Sequence, residues 1–281
     1  MKTVSVINHK GGVGKTTMAG CLAQALALSE YRVLAVDNDS QHNLSTLMGL
    51  TPKSPSIHDV YRSKRKDAAE TLLKSIRKTE IANLHMVTAE SSLCAADIEN
   101  PMVLKNAFTD AGLERYYDYL LIDNAPGLDT MQATALYASD EIFVPTELRQ
   151  FAVDGIVEME QILRTRFPDA PGITRIIPNF YRNTKRQNSF IVALQNLFPG
   201  RVTETPIPVD SVFDELITEG KILFLHRLYS KGAAFYLKIM HELFGLSEDD
   251  VWEHVREKRH ERMSEEARKR YYERQSESEG S

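Results

Sequence analysis

Between Val6 and Gly20 the chain reads VINHKGGVGKTTMAG, a set of residue types suited to holding a polyphosphate. Gly11, Gly12 and Gly14 allow a tight loop whose backbone N–H groups point inward at an anion. A following helix would add its positive N-terminal end. Lys15 can reach the β- and γ-phosphates as a point charge, the Thr16 hydroxyl can ligate Mg2+, and Thr17 can donate on the α-phosphate side. The strict pattern G-x-x-x-x-G-K-[ST] asks for a glycine where His9 stands, and an additional lysine, Lys10, lies beside it. The loop is therefore either a chance match or a variant in which Lys10 has a task. A dinucleotide loop read from Gly12 would put Thr17 in the third glycine slot, with Asp37 or Asp39 meeting a ribose. The Lys15–Thr16 pair favours phosphate and metal instead. Further along, Asp123 closes the apolar run YLLID, where an acid can hold Mg2+ directly or through water. The segment NAPGLD (124–129) then places Pro and Gly close to the γ-phosphate, suited to sensing hydrolysis.

These residues need a scaffold that gathers them. Short β-branched runs at 3–8, 32–39, 83–89, 117–126, 141–147, 174–180 and 202–208 read as strands. Helical stretches lie between them, including about 16–28, 130–138 and 229–246. Apolar strands alternating with helices predict an α/β fold, a doubly wound, mostly parallel sheet with helices on both faces. Ligands of such sheets bind beyond the carboxyl ends of the strands. Those ends carry His9 and Lys10, Asp37 to Asp39, Asp123 and Asn124, Glu147, Asn179 and Pro208, which predicts one polar site.

The 281 residues, 42% hydrophobic and 26% charged, suit a soluble globular protein. A net charge of −5 argues against a chain coated in positive charge but leaves room for a local basic patch. Two cysteines, Cys21 and Cys94, make no disulfide scaffold and suggest a reducing cytosol. No apolar run approaches the roughly 18–20 residues of a membrane span, and no signal-peptide pattern opens the chain. The expectation is a cytoplasmic protein. Residues 1–246 read as one phosphate-loop domain, and 247–281 as a tail dense in both charge signs. Ser247 suits an N-cap, with Glu248, Asp249 and Asp250 in the first turn. That tail is either a solvated helix fraying into disorder or a docking or dimer-supporting helix.

With Lys10, the glycines, Lys15, Thr16, Asp39 and IDNAP assembled, the chain resembles the ParA/MinD family of deviant Walker A ATPases, and within it the ParA/Soj-type partition ATPases. KGGVGKTT matches the family's loop in full, and that family also lacks the first glycine of the ordinary motif. VDNDSQHNLST resembles its second-strand motif, with Ser40 where Pro is usual. YDYLLIDNAPGLDTMQATALYASDEIFVPTELRQFAVDG and TPIPVDSVFDELITEGKILF resemble later segments, so the similarity runs over roughly residues 2–245.

The resemblance implies ATP and Mg2+ as ligands and an ATP-dependent sandwich homodimer. It places Gly11, Gly12, Val13, Gly14, Lys15, Thr16 and Thr17 around the phosphates, with Lys10 crossing to the partner's nucleotide. Asp39 matches the acid that orients the attacking water, and Thr16, Asp39 and Asp123 are the implied surroundings of the metal. Pro208, with Val209 and Asp210, matches the adenine-lining region, and Asn179 is a candidate base contact. Partition members bind DNA nonspecifically through arginines whose positions here hold Thr184 and Val212; Arg182, Lys185, Arg186 and Lys221 are candidate substitutes.

The implied protein is a slowly turning ATPase that closes on ATP, binds DNA at the nucleoid and is released when a centromere-binding or adaptor protein stimulates hydrolysis. It would segregate or position DNA or another cargo. A membrane-cycling, MinD-like ATPase is the alternative, but the apolar residues Trp252, Val255 and Met263 stand among acids with no continuous apolar face. Electron transfer of the nitrogenase iron-protein kind needs two cluster cysteines, and only Cys94 offers itself. A ligase or kinase on the same fold would leave Lys10 without a role.

Overall fold

The computed structural model describes residues 1–92, 96, 98–213, 215, 221 and 223–279, without the side chains of 270–279. Cys94 lies outside the described residues. In chain order the elements are β1 (Lys2–Val6), α1 (Lys15–Leu28), β2 (Val33–Asn38), α2 (Asn43–Leu47), α3 (Ile57–Arg62) and α4 (Arg65–Ser75). Next come β3 (Ile76–Lys78), β4 (Leu84–Val87), α5 (Val103–Asp110), β5 (Tyr119–Asn124), α6 (Thr130–Ala138), β6 (Glu141–Glu147) and α7 (Ala152–Arg166). The chain continues through β7 (Arg175–Asn179), α8 (Lys185–Leu197), α9 (Leu223–His226), α10 (Lys231–Phe244) and α11 (Glu248–Glu279).

One seven-stranded sheet has the order β3-β4-β2-β5-β1-β6-β7. All its ladders are parallel except that of β3 on β4. The runs of Val, Ile and Leu form these strands because both faces are covered, so neither needs polar alternation. From β1 the chain passes to β2 on one side, and β6 later pairs on the other, which makes β1 the topological switch point. The loop leaving β1 is the glycine-rich one.

Alternate residues separate two cores. On one face Val33, Ala35, Leu121 and Phe143 pack with α1, α9 and α10. On the other, Leu34, Val36, Leu120 and Ile122 pack under α3 to α6, and Ile142, Val144 and Ile176 under α7 and α8. Asp37 and Asp123 thereby point to the α1 side, and Asn38 and Asn124 to the opposite side.

Two segments differ from the sequence expectation. Residues 202–208 make only isolated bridges, Ile176 with Val202 and Tyr181 with Pro208. Pro206 and Pro208 lack the N–H groups that a ladder needs. The short antiparallel β3 edge, IRK, was not foreseen. In α11, Val251 and Val255 are buried against the α1 core, with Trp252 packed beside them. Lys258 pairs with Glu30, Arg262 pairs with Glu80, and Arg259 Nε donates to the Leu225 carbonyl. The charged segment is thus bolted at several points along its first half.

Candidate functional site

The loop between β1 and α1 needs its glycines. Gly14 is the N-cap of α1 at φ 89°, in the left-handed region, and a Cβ there would collide with the Asn179 amide. Asn8 braces the entry: its Nδ2 donates to the Pro145 carbonyl and its Oδ1 accepts from Lys10 N. Asn179 braces the far side, donating from Nδ2 to the Val13 carbonyl at 2.9 Å. Lys15 is buried and its Nζ donates to the Lys10 carbonyl at 2.9 Å, folded inside its own loop. Burial lowers its pKa, and the charges of Asp123 and Asp39 work against that shift. Thr16 and Thr17, half-buried, begin α1.

The acids stand at the tips of β2 and β5. Asp37 and Asp123 are partners in the ladder, and both are 0% exposed. Asp37 is satisfied by Ser45, whose N–H and hydroxyl donate at 2.8 and 2.7 Å. Burial nevertheless raises it to about 7, opposed by those Ser45 bonds. Among the described residues, neither oxygen of Asp123 accepts a hydrogen bond. Burial, then the neighbouring Asp37, push its pKa well above the usual range. The Thr16 hydroxyl is near enough to lower it, yet does not reach bonding geometry with either oxygen. Asp39 is buried too, its Oδ1 fixed by the Gln41 N–H at 2.9 Å.

A buried carboxylate with both oxygens orphaned asks for a positive partner. A hydroxyl and a hard oxygen acid fit Mg2+, which keeps waters and phosphate oxygens as its other ligands. Among the described residues no group of three or more His, Cys, Asp or Glu could hold a metal ion.

Lys10 behaves differently from Lys15. It is exposed, and its Nζ donates to the Phe151 carbonyl at 3.3 Å, across the mouth of the loop. A Cβ on Gly155 would stand 3.0 Å from that Nζ, so the glycine in α7 leaves it room. Pro126 reaches the loop from the segment after β5, with its Cγ 3.8 Å from where a Gly11 Cβ would lie.

Comparison with known proteins places this geometry. The AAA domain family matches residues 1–166. The chromosome partitioning protein ParA of Caulobacter vibrioides is 29% identical over 261 residues, covering 89% of this chain and 96% of that protein. The chain belongs to the ParA/MinD family of P-loop ATPases. Among solved structures, septum site-determining protein MinD of Pyrococcus horikoshii, complexed with Mg-ADP, matches with a TM-score of 0.69 at 25% identity. That match covers 86% of this chain and 96% of the MinD chain. A Cyanothece McdA variant in complex with ATP has the same fold, with a TM-score of 0.71 at 22% identity over 88% of this chain and 97% of that one. The coarse activity of the family member is thereby that of an ATP-hydrolysing P-loop enzyme.

The remaining residues fall in three places. Tyr181 bridges to Pro208 and its carbonyl accepts from Val209 N, so Pro208 and Val209 sit just beyond Asn179. Asp210 accepts from the N–H groups of Val212 and Gly232, which ties this turn to the start of α10. Arg182, Lys185 and Arg186 are exposed where the chain enters α8. Arg186 donates to Gln150 Oε1 and lies over the Phe190 ring, while Lys221 is exposed elsewhere, ahead of α9. Thr184 is the N-cap of α8, accepting from Gln187 N, and Val212 is buried in the core. Both positions therefore serve the fold. Sequence reasoning passed over Ser45, the partner of Asp37, and Phe180, whose ring lies beside Gly14. A serine eight residues beyond a buried acid leaves no local signature.

Proposed function

We propose that the chain is a nucleotide-gated switch: ATP closes two copies into a sandwich, and hydrolysis opens them. The observation that carries this reading is the contrast between its two loop lysines. Lys15 is buried on its own loop, whereas the Lys10 ammonium is exposed and, among the described residues, donates to the Phe151 carbonyl. A lysine so placed is free to exchange a neutral carbonyl for the phosphates of a second subunit, a stronger charge-assisted bond. Loss of the γ-phosphate weakens that bond, which couples assembly to hydrolysis.

In each subunit Gly11, Gly12, Val13, Gly14 and Lys15 would hold the phosphates, Thr16 and Asp123, with Asp39 beside them, would hold Mg2+, and Thr17 would lie on the α-phosphate side. Mg2+, when bound, would supply positive charge to offset the phosphates. Asp39, with Oδ1 pinned by Gln41, directs Oδ2 to the attacking water. Asn179, Pro208, Val209 and Asp210 line the base. Arg182, Lys185, Arg186 and Lys221 contact DNA phosphates without sequence preference, which puts the ATP state on the nucleoid. A centromere-binding or adaptor protein completes the cycle by stimulating a slow basal turnover. The cargo is DNA or an assembly carried on it. Val251 and Val255 are committed to the core, so α11 offers them to no lipid surface, and no described helix is long and apolar enough to cross a membrane.

The decisive experiment is size-exclusion chromatography with Mg-ATP. Wild type is expected to elute as a dimer and Lys10→Ala as a monomer that still binds ATP. Normal dimers of Lys10→Ala would remove the cross-subunit role.

A further inference from the structure

Beneath the strand tips runs a buried polar chain that nucleotide binding does not explain. Asn38 of β2 stands opposite Asn124 of β5 in the ladder. Asn38 Nδ2 donates to Asn124 Oδ1 at 2.9 Å and to the Met131 carbonyl at 3.4 Å. Asn124 Nδ2 donates to the carbonyls of Val6 and Ile122, both at 3.3 Å. The Tyr61 hydroxyl, from α3, meets Asn38 Oδ1 at 2.7 Å and Thr134 Oγ1 of α6 at 2.9 Å. All four side chains are buried.

Donor counting fixes the direction of this chain. Two carbonyls face the Asn124 amide nitrogen, so its oxygen must face Asn38, which must answer with its own nitrogen. The Asn38 oxygen is then turned to Tyr61, whose single proton goes there. The Thr134 proton is left to Tyr61 or to the Met131 carbonyl, 2.7 Å away. Bonds thus run one way from Tyr61 to Asn38, Asn124 and the Val6 carbonyl. They touch β2 one residue before Asp39, β5 one residue after Asp123, and β1 at the root of the phosphate loop. The backbone adds a stitch, since Ala125 N donates to the Asn38 carbonyl at 3.3 Å.

We propose that Tyr61, Asn38 and Asn124 are positioning residues that hold Asp39, the segment 125–129 and the phosphate loop in one register for hydrolysis. None of them meets a reacting atom, so they act through Asp39 and through the main chain after Asp123. The inference rests on the ATPase reading above. Aliphatic side chains would fill the same space, but without directional bonds the strand tips could shift relative to each other. A displacement of about 1 Å at such a site is enough to cost orders of magnitude in rate.

Tyr61→Phe tests this with the loss of one oxygen, leaving Asn38 Oδ1 buried without its donor. The expected result is a kcat for Mg-ATP hydrolysis lower by roughly tenfold, with KM unchanged. In protein without nucleotide, amide hydrogen exchange is expected to rise in residues 39–42 and 125–131 but not in α8 or α10. Adding Asn124→Ala to Tyr61→Phe is expected to slow turnover no further than the slower single variant, because the chain acts as a unit. An unchanged kcat, or a lower kcat with exchange raised evenly across the sheet, would overturn the proposal. Wild-type protein without ATPase activity would refute the ATPase reading instead, and the exchange pattern alone would then decide whether the chain holds those segments.

Discussion

Lys15 and Asp39 are both buried beside the phosphate loop, and both look indispensable, yet they should fail differently. Lys15 is the charge enclosed by the loop, so Lys15→Ala removes ground-state attraction for the phosphates. Titration of Lys15→Ala with a fluorescent ATP analogue is expected to show binding weaker by about 100-fold or more, roughly two charge-assisted bonds. Asp39 is held by the Gln41 N–H, and in the proposed reading it directs the water rather than enclosing the anion. Asp39→Ala is therefore expected to bind ATP normally, to hydrolyse it about 100-fold more slowly, and to accumulate as a dimer. Normal turnover by Asp39→Ala would show that another group directs the water. The loop was legible in the sequence because glycine, lysine and threonine at fixed spacing have few other uses. The state of Asp123 was legible only by place: a strand-end acid is commonplace, and its two orphaned oxygens emerge only from packing.

At the scale of elements, α7 is fastened to the sheet by one acid. Glu160 accepts from Ile173 N at 3.0 Å and pairs with Arg164 and Arg201. Burial works to raise its pKa, but the Ile173 N–H and the two arginines outweigh it, so the folded value is lowered. Stability from this acid is therefore full above its unfolded pKa, about 4.3, and is lost as pH falls through the lower folded value. Wild-type protein is expected to lose more stability than Glu160→Gln over that acid range, and Glu160→Gln to cost about 1–2 kcal/mol at pH 7 by urea titration. A second fastening is α11. Val255→Ala is expected to cost about 2 kcal/mol, a core value rather than a surface one; a change within experimental error would mean that the helix does not dock in solution. This docking was hard to read beforehand, because Val251 and Val255, four apart, are two apolar residues in a segment crowded with charge. The parallel strands were easy, since apolar runs buried on both faces are long and uninterrupted. The 202–208 segment misled because its alternating Val, Thr and Ile read as a strand while its prolines withheld the ladder donors.

For the whole molecule, a chain of net charge −5 can grip DNA only through a local patch. Arg182, Lys185 and Arg186 are exposed together at the mouth of α8. Replacing all three by Ala is expected to weaken ATP-state DNA binding uniformly across sequences. The slope of log affinity against log salt should fall by about 3, near one for each lost phosphate contact; an unchanged slope would move the contact elsewhere. The same molecule also carries its own reporter. Its single tryptophan, Trp252, rides on α11 and packs against the core that includes α1, the helix whose first turn caps the phosphate loop. Indole emission is therefore a label-free gauge of whether the tail stays seated while nucleotide comes and goes. Excitation at the red edge of the indole band leaves the eleven tyrosines silent, so the signal belongs to Trp252.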